Sequence, residues 1–220
     1  MKGVLLEQPD RHEKTKMRLV CLLTVALLLF ATNGGLSAQG NISDLANEIA
    51  SGRVVLNSAT GNGSSSGSAV DGFLVNQADA EIRIDVYLSR PIYLVNSGRG
   101  QNMVAAQVYL GGGRYQSVGR RSFITLRPRV RTNVRFTAYC ADFDRENPAR
   151  SDGFSIGVMP ENLTRVMANI RSYSVANPDV DITVPAQVAI WLAQGESAQE
   201  IRSKFPLTPA DDRLANALIR

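Results

Sequence analysis

The stretch Val130-Arg131-Thr132-Asn133-Val134-Arg135-Phe136-Thr137-Ala138-Tyr139-Cys140 decides the fold. Val130, Thr132, Val134, Phe136 and Ala138 alternate with Arg129, Arg131, Asn133, Arg135 and Thr137. Side chains leave a strand on opposite faces with a period of two, so this pattern describes a strand with one face in a core and one toward water. The same period runs through Ile82, Ile84, Val86 and Leu88, and through Val104, Ala106, Val108 and Leu110. Turn signals such as Ser97-Gly98, Gly111-Gly112-Gly113 and Arg127-Pro128 separate these runs. Several short antiparallel strands with one polar face predict a β-sandwich over residues 81–158. Strand parity puts Cys140 on the inward side.

After Pro160 the period lengthens. Leu163, Val166, Met167 and Ile170 form a helical stripe, and Pro185 suits the first turn of a helix that ends before Gly195. Ser197-Ala198-Gln199-Glu200 is a capping box, and Thr208-Pro209-Ala210-Asp211 opens a last helix. The expected fold class is mainly β with C-terminal helices (α+β), an antiparallel β-sandwich followed by three or four short helices. Residues 159–220 would pack on the sandwich as one unit with it. Upstream, residues 39–80 read as an N-terminal segment whose tract Asn57–Gly72, rich in glycine and serine, predicts a flexible linker.

Residues 1–38 have the features of a signal peptide. The apolar run Leu19–Ala31 is flanked by Lys14, Lys16 and Arg18 and followed by Leu36-Ser37-Ala38. The expected location is therefore exported, whether periplasmic, at the cell surface or secreted. Removing this segment takes five of the 24 basic and three of the 20 acidic residues, so the remaining charge is nearly balanced and does not call for nucleic acid. No membrane span is expected after cleavage. The one histidine, His12, leaves with the leader, which excludes histidine-based catalysis and most zinc sites. No cofactor or metal is expected. Asp142, Asp144, Glu146 and Asp152 crowd one loop without the glycine or spacing of a calcium-binding loop. Arg120, Arg121, Arg127, Arg129, Arg131 and Arg135 array a basic face that suits either an acidic glycan or, with nearby acids, plain solvation.

The second cysteine, Cys21, also leaves with the leader, so Cys140 remains alone. A cysteine and a glutamine can condense with loss of ammonia into an internal thioester, which survives only in a dry pocket. Gln187 shares a helix face with Ile190 and Trp191 and is the candidate partner of Cys140, with Tyr139, Asp142 and Trp191 in supporting positions. The alternatives are that Cys140 is a small inert core residue or is reactive in another way.

Tyr139-Cys140-Ala141-Asp142 and Gln187-Val188-Ala189-Ile190-Trp191 resemble the paired motifs of the thioester domains of bacterial surface adhesins. Ala186 stands where that family prefers threonine, and 46 residues separate the cysteine from the glutamine. The wider layout is similar to that of other exported bacterial β-sandwich proteins. The resemblance implies a Cys140–Gln187 bond that acylates an amine on a partner surface. The residues by themselves lead to an exported, non-enzymatic binding or structural module of the cell envelope or exterior, with a protein or glycan surface as partner.

Export is checked by N-terminal sequencing of protein recovered from the producing cell. The expected start is close to Gln39; soluble cytosolic protein beginning at Met1 or Met17 would refute it.

Overall fold

The computed structural model describes residues 41–118 and 121–220. The apolar segment Leu19–Ala31, its cleavage site and Arg120 lie outside the described residues.

β-strand formation follows the alternation. β1 (Ile42–Ser43) leads into a short helix α1 (Leu45–Ala50), capped by the Asp44 side chain, which accepts from Asn47 N–H. Then come β2 (Val54–Gly61), β3 (Ser66–Asn76), β4 (Ile82–Asp85), β5 (Tyr87–Asn96) and β6 (Met103–Leu110). They are followed by β7 (Gln116–Val118), β8 (Arg121–Leu126), β9 (Arg131–Cys140) and β10 (Gly153–Gly157). Four helices follow the strands: α2 (Glu161–Ala176), α3 (Thr183–Ala193), α4 (Ala198–Lys204) and α5 (Pro209–Leu218).

The protein is mainly β with C-terminal helices, as expected, but the strands do not separate into the two facing sheets of a sandwich. Six of them close into an antiparallel barrel, in the order β10-β2-β3-β9-β6-β5, and the others form a second sheet in the order β1-β4-β8-β7. Val86 links the two sheets: its N–H donates to Ser122 O at 2.9 Å, and its C=O accepts from Val108 N–H at 2.9 Å.

Closure comes from a segment whose composition argues against a strand. The glycine/serine tract expected to be a flexible linker is instead the β2–β3 hairpin, in which Asn57–Gly61 ends β2 and Ser66–Gly72 begins β3. β3 pairs along nearly its whole length with β9, from Ser66 opposite Tyr139 to Val75 opposite Arg131. Glycine and serine lower strand propensity without forbidding a strand, and here a long partner supplies the backbone hydrogen bonds. The β2–β3, β3–β9 and β6–β9 pairs each contain a one-residue bulge, and the β5–β6 register shifts more widely between Tyr87 and Ile92. Bulges bend and twist strands, and this curvature lets six strands meet. At the β2 bulge Ser58 takes a positive φ of 49°.

The alternation of β9 is realised from Val134 onward, whereas Val130, read as inward, precedes the strand and is 46% exposed, and Thr132 and Arg135 are half-buried. Val134, Phe136, Ala138 and Cys140 are buried, while Arg129 and Arg131 are exposed. Three members of the arginine face have local partners. Arg135 makes two hydrogen bonds to the Asp71 carboxylate, at 2.6 and 3.3 Å. Arg129 reaches Gln77 and Asp79, and Arg131 lies 3.8 Å over the Phe73 ring.

The last two helices start where their caps sit. Ser197 with Glu200 and Thr208 with Asp211 form capping boxes at α4 and α5. Pro185 lies in the first turn of α3, and Gly195 beyond its end has a φ of +99°. Residues of α3 from Pro185 to Trp191 are all buried, which explains its apolar run. Strands and helices share one hydrophobic core. Among the described residues, no helix is long and apolar enough to cross a membrane.

Phe136 is fully buried, so Phe136→Ala should cost about 3–5 kcal/mol in denaturant titration. Arg131→Ala removes an exposed cation–π contact and should cost no more than about 1 kcal/mol. Reversed magnitudes would refute the register of β9.

Candidate functional site

The end of β9 is where the sheet runs short of partners. The backbone N–H and carbonyl of Cys140 point toward β3, whose pairing ends at Ser66 opposite Tyr139. Cys140 N–H still reaches Ser65 O at 3.2 Å. The remaining capacity is met by a glutamine amide: Gln187 Oε1 accepts from Cys140 N–H at 2.8 Å, and Gln187 Nε2 donates to Cys140 O at 2.8 Å. The amide thus takes the place of one more strand residue. Both residues are completely buried. An unpaired buried amide would be costly, and here each polar atom of the amide has a partner.

Two further contacts from α3 and its C-cap reach the same segment. Gln194 Nε2 donates to Ala141 O, and the Trp191 ring meets Phe143 edge-on at 5.1 Å. Phe205 also meets the indole edge-on, at 5.4 Å. Gln187, Trp191 and Gln194 stand at i, i+4 and i+7, one stripe of α3 that grips Cys140, Ala141 and Phe143. Trp191 Nε1 is buried without a hydrogen-bond partner.

The Cys140 sulfur lies on the core side, with Sγ 3.6 Å from Met103 Sδ. Burial, with a smaller contribution from the Asp142 charge, pushes the thiol up to about 12. It is therefore a neutral thiol at physiological pH and is shielded from external electrophiles. Tyr139 faces the opposite side of the sheet, as parity requires, and Asp142 turns away from the amide. Asp142 Oδ2 accepts from Asn102 N–H at 2.8 Å and lies 3.8 Å from Arg145 Nε. The structure thus brings together Cys140, Gln187 and, one helical turn on, Trp191; it leaves Tyr139 and Asp142 with other neighbours.

The acidic loop is similarly divided. Asp144 pairs with Lys204 at 3.0 Å, while Asp152 accepts from Asn96 Nδ2 at 2.9 Å and Ala149 N–H at 3.0 Å. Among the described residues, no group of three or more His, Cys, Asp or Glu side chains converges to hold a metal ion. The Asp152 carboxylate is also closely surrounded: a Cβ on Gly98 or Gly100 would come within 2.7 or 2.6 Å of its oxygens.

Sequence reasoning missed Gln194 and Met103. The i+7 spacing from Gln187 was a signal for Gln194. Met103 carried none, because its position opposite Cys140 depends on the β6–β9 register. Comparison with protein-family models, with curated proteins and with solved structures yields no match.

The hydrogen-bonded pin can be measured without the thiol. In a Cys140→Ala background, adding Gln187→Leu strips the backbone carbonyl at position 140 of its buried donor and should cost a further ~1–3 kcal/mol in urea unfolding. Equal stability of the single and double variants would refute the pin.

Proposed function

We propose that the protein is an exported, non-enzymatic binding module of the bacterial cell envelope or exterior whose Cys140 and Gln187 condense into an internal thioester. The observation that carries this reading is the seating of the buried Gln187 amide on Cys140, through contacts of 2.8 Å at both of its polar atoms. The electrophile and the nucleophile would belong to residues that already meet, in a place without solvent exposure.

The chemistry balances. Cys140 Sγ adds to the Gln187 amide carbon, and the charge developing on Oε1 is met by Cys140 N–H, an oxyanion-type contact. The thiol proton passes to Nε2, the C–N bond breaks, and ammonia leaves. A partner amine later adds to the same carbon, the C–S bond breaks, and the sulfur regains a proton as an amide forms. Each molecule acts once, so the module binds covalently and does not turn over. The two tetrapeptide-scale motifs that resemble adhesin thioester domains support the same reading.

A second reading has its own observation. Both amide atoms are satisfied by the Cys140 backbone, and Sγ rests against Met103 Sδ at 3.6 Å. On that reading Gln187 is a structural pin, Cys140 is a core residue, and the module binds without a covalent bond.

Intact mass of the purified protein separates them. The thioester gives a deficit of about 17 Da, the mass of the ammonia lost in acyl transfer. Cys140→Ala and Gln187→Ala should each abolish the deficit, and methylamine should add to the unaltered protein only. Full mass with one thiol titratable after unfolding would overturn the thioester and leave the non-covalent module.

A further inference from the structure

On the opposite face of β9 from Cys140, a cleft of about 240 Å³ lies between the outside of the barrel and the connection from α2 to α3. Its floor carries Tyr87, Gln107, Tyr109 and Tyr139, and its walls include Ser174 and Asp181. Two of these side chains are more than nine-tenths buried: Tyr139 is 3% exposed and Ser174 is 7% exposed. Neither hydroxyl has a hydrogen-bond partner among the described residues, although both line the cleft.

The neighbouring polar groups are partly committed in a way that leaves defined bonding capacity. Tyr109 O–H donates to Gln107 Oε1 at 2.6 Å, so the Gln107 amide hydrogens remain for a ligand. Asp181 accepts from Thr183 N–H at 2.9 Å, and hydrogen bonds from Thr183 hold its carboxyl below the usual range. It offers charged acceptor capacity at the rim. Among the described residues, no lysine or arginine lines the cleft, which disfavours phosphate or carboxylate ligands. An apolar ligand would bury the Tyr139 and Ser174 hydroxyls unpaired.

We propose that this cleft binds one ring of a neutral sugar. Each sugar hydroxyl both donates and accepts, matching tyrosine, serine, amide and carboxylate groups within one small space. Tyrosine rings supply amphipathic surface for the C–H face of a pyranose. The volume lies below the ~300–1,000 Å³ of sites for drug-sized ligands, which suits a single ring. The site shares no residue with the Cys140–Gln187 pair and does not rest on the thioester.

Saturation-transfer NMR tests it, using the purified protein with glucose, galactose, mannose, N-acetylglucosamine and their common disaccharides. Butylammonium and inorganic phosphate form separate arms. Transfer to at least one neutral sugar is expected, with no change in Cys140→Ala. Tyr139→Phe should weaken that binding by about tenfold, the effect of losing one hydrogen bond, while the thermal midpoint stays put. Ser174→Ala should also weaken binding and serves if Tyr139→Phe does not fold. Silence across the sugars, preferential binding of butylammonium or phosphate, or sugar binding unchanged in the folded variants would overturn the proposal.

Discussion

The structure depends on the closure of the barrel by β10. Only five residues long, it pairs with β2 through Gly153 and Phe154 and with β5 from Phe154 to Gly157. Without it, β2 and β5 would each present an unpaired edge, and open edges invite pairing with other proteins. Its approach is close enough to select for glycine, since a Cβ on Gly157 would collide with the Val95 side chain. The loops on either side are locked together before this strand begins. Asn96 N–H donates to Asn102 Oδ1, Asn102 N–H to Asp142 Oδ2, and Gln101 N–H to Glu146 O, at 2.9, 2.8 and 2.9 Å. These bonds fix the path out of β9 and deliver β10 to the gap.

That locked path has a consequence at the end of β9. Once the backbone turns away after Cys140, its last polar groups on the β3 side have no continuing strand to pair with. α3 lies over this position, and Gln187 supplies the donor that Cys140 O lacks and shares Cys140 N–H with Ser65 O. A helix docked through a side-chain amide on backbone groups is held in register as well as in contact, because a shift of one residue would bury the amide unpaired. Gln194 and Trp191 repeat the grip on Ala141 and Phe143. The buried Trp191 N–H is left without a partner, a cost accepted where its ring packs against Phe143 and Phe205.

Much of this was legible in the residues and some was not. The alternation in Ile82–Leu88 and Val134–Ala138 reports burial directly, so these strands and the inward face of Cys140 could be read, whereas Ala105 is buried against its parity at a register shift and Val130 is exposed. Capping boxes at Ser197 and Thr208 are local chemistry and located their helices for the same reason. The tract from Asn57 to Gly72 misled because its strand character comes from β9 and β10, partners far away in sequence. Barrel or sandwich is likewise a matter of which distant edges meet, and no local pattern encodes it. Cys140 and Gln187 were paired through parity and helix phase, but the amide's engagement with backbone atoms depends on where β3 stops. The Tyr87–Tyr109–Tyr139 cleft had no sequence signature, since its three rings come from three different strands.

β9 therefore serves two surfaces with one alternation. Its inward residues end in a thiol that burial keeps neutral, and the next residue back, Tyr139, presents its hydroxyl to the outer cleft. α3 and the segment leading into it cover both: Gln187 reaches Cys140, while Asp181 and Thr183 border the cleft. Asp181 and Gln187 are only six residues apart in sequence. The two faces of β9 are thus chemically separate, and both are bordered by the segment from Asp181 to Gln187.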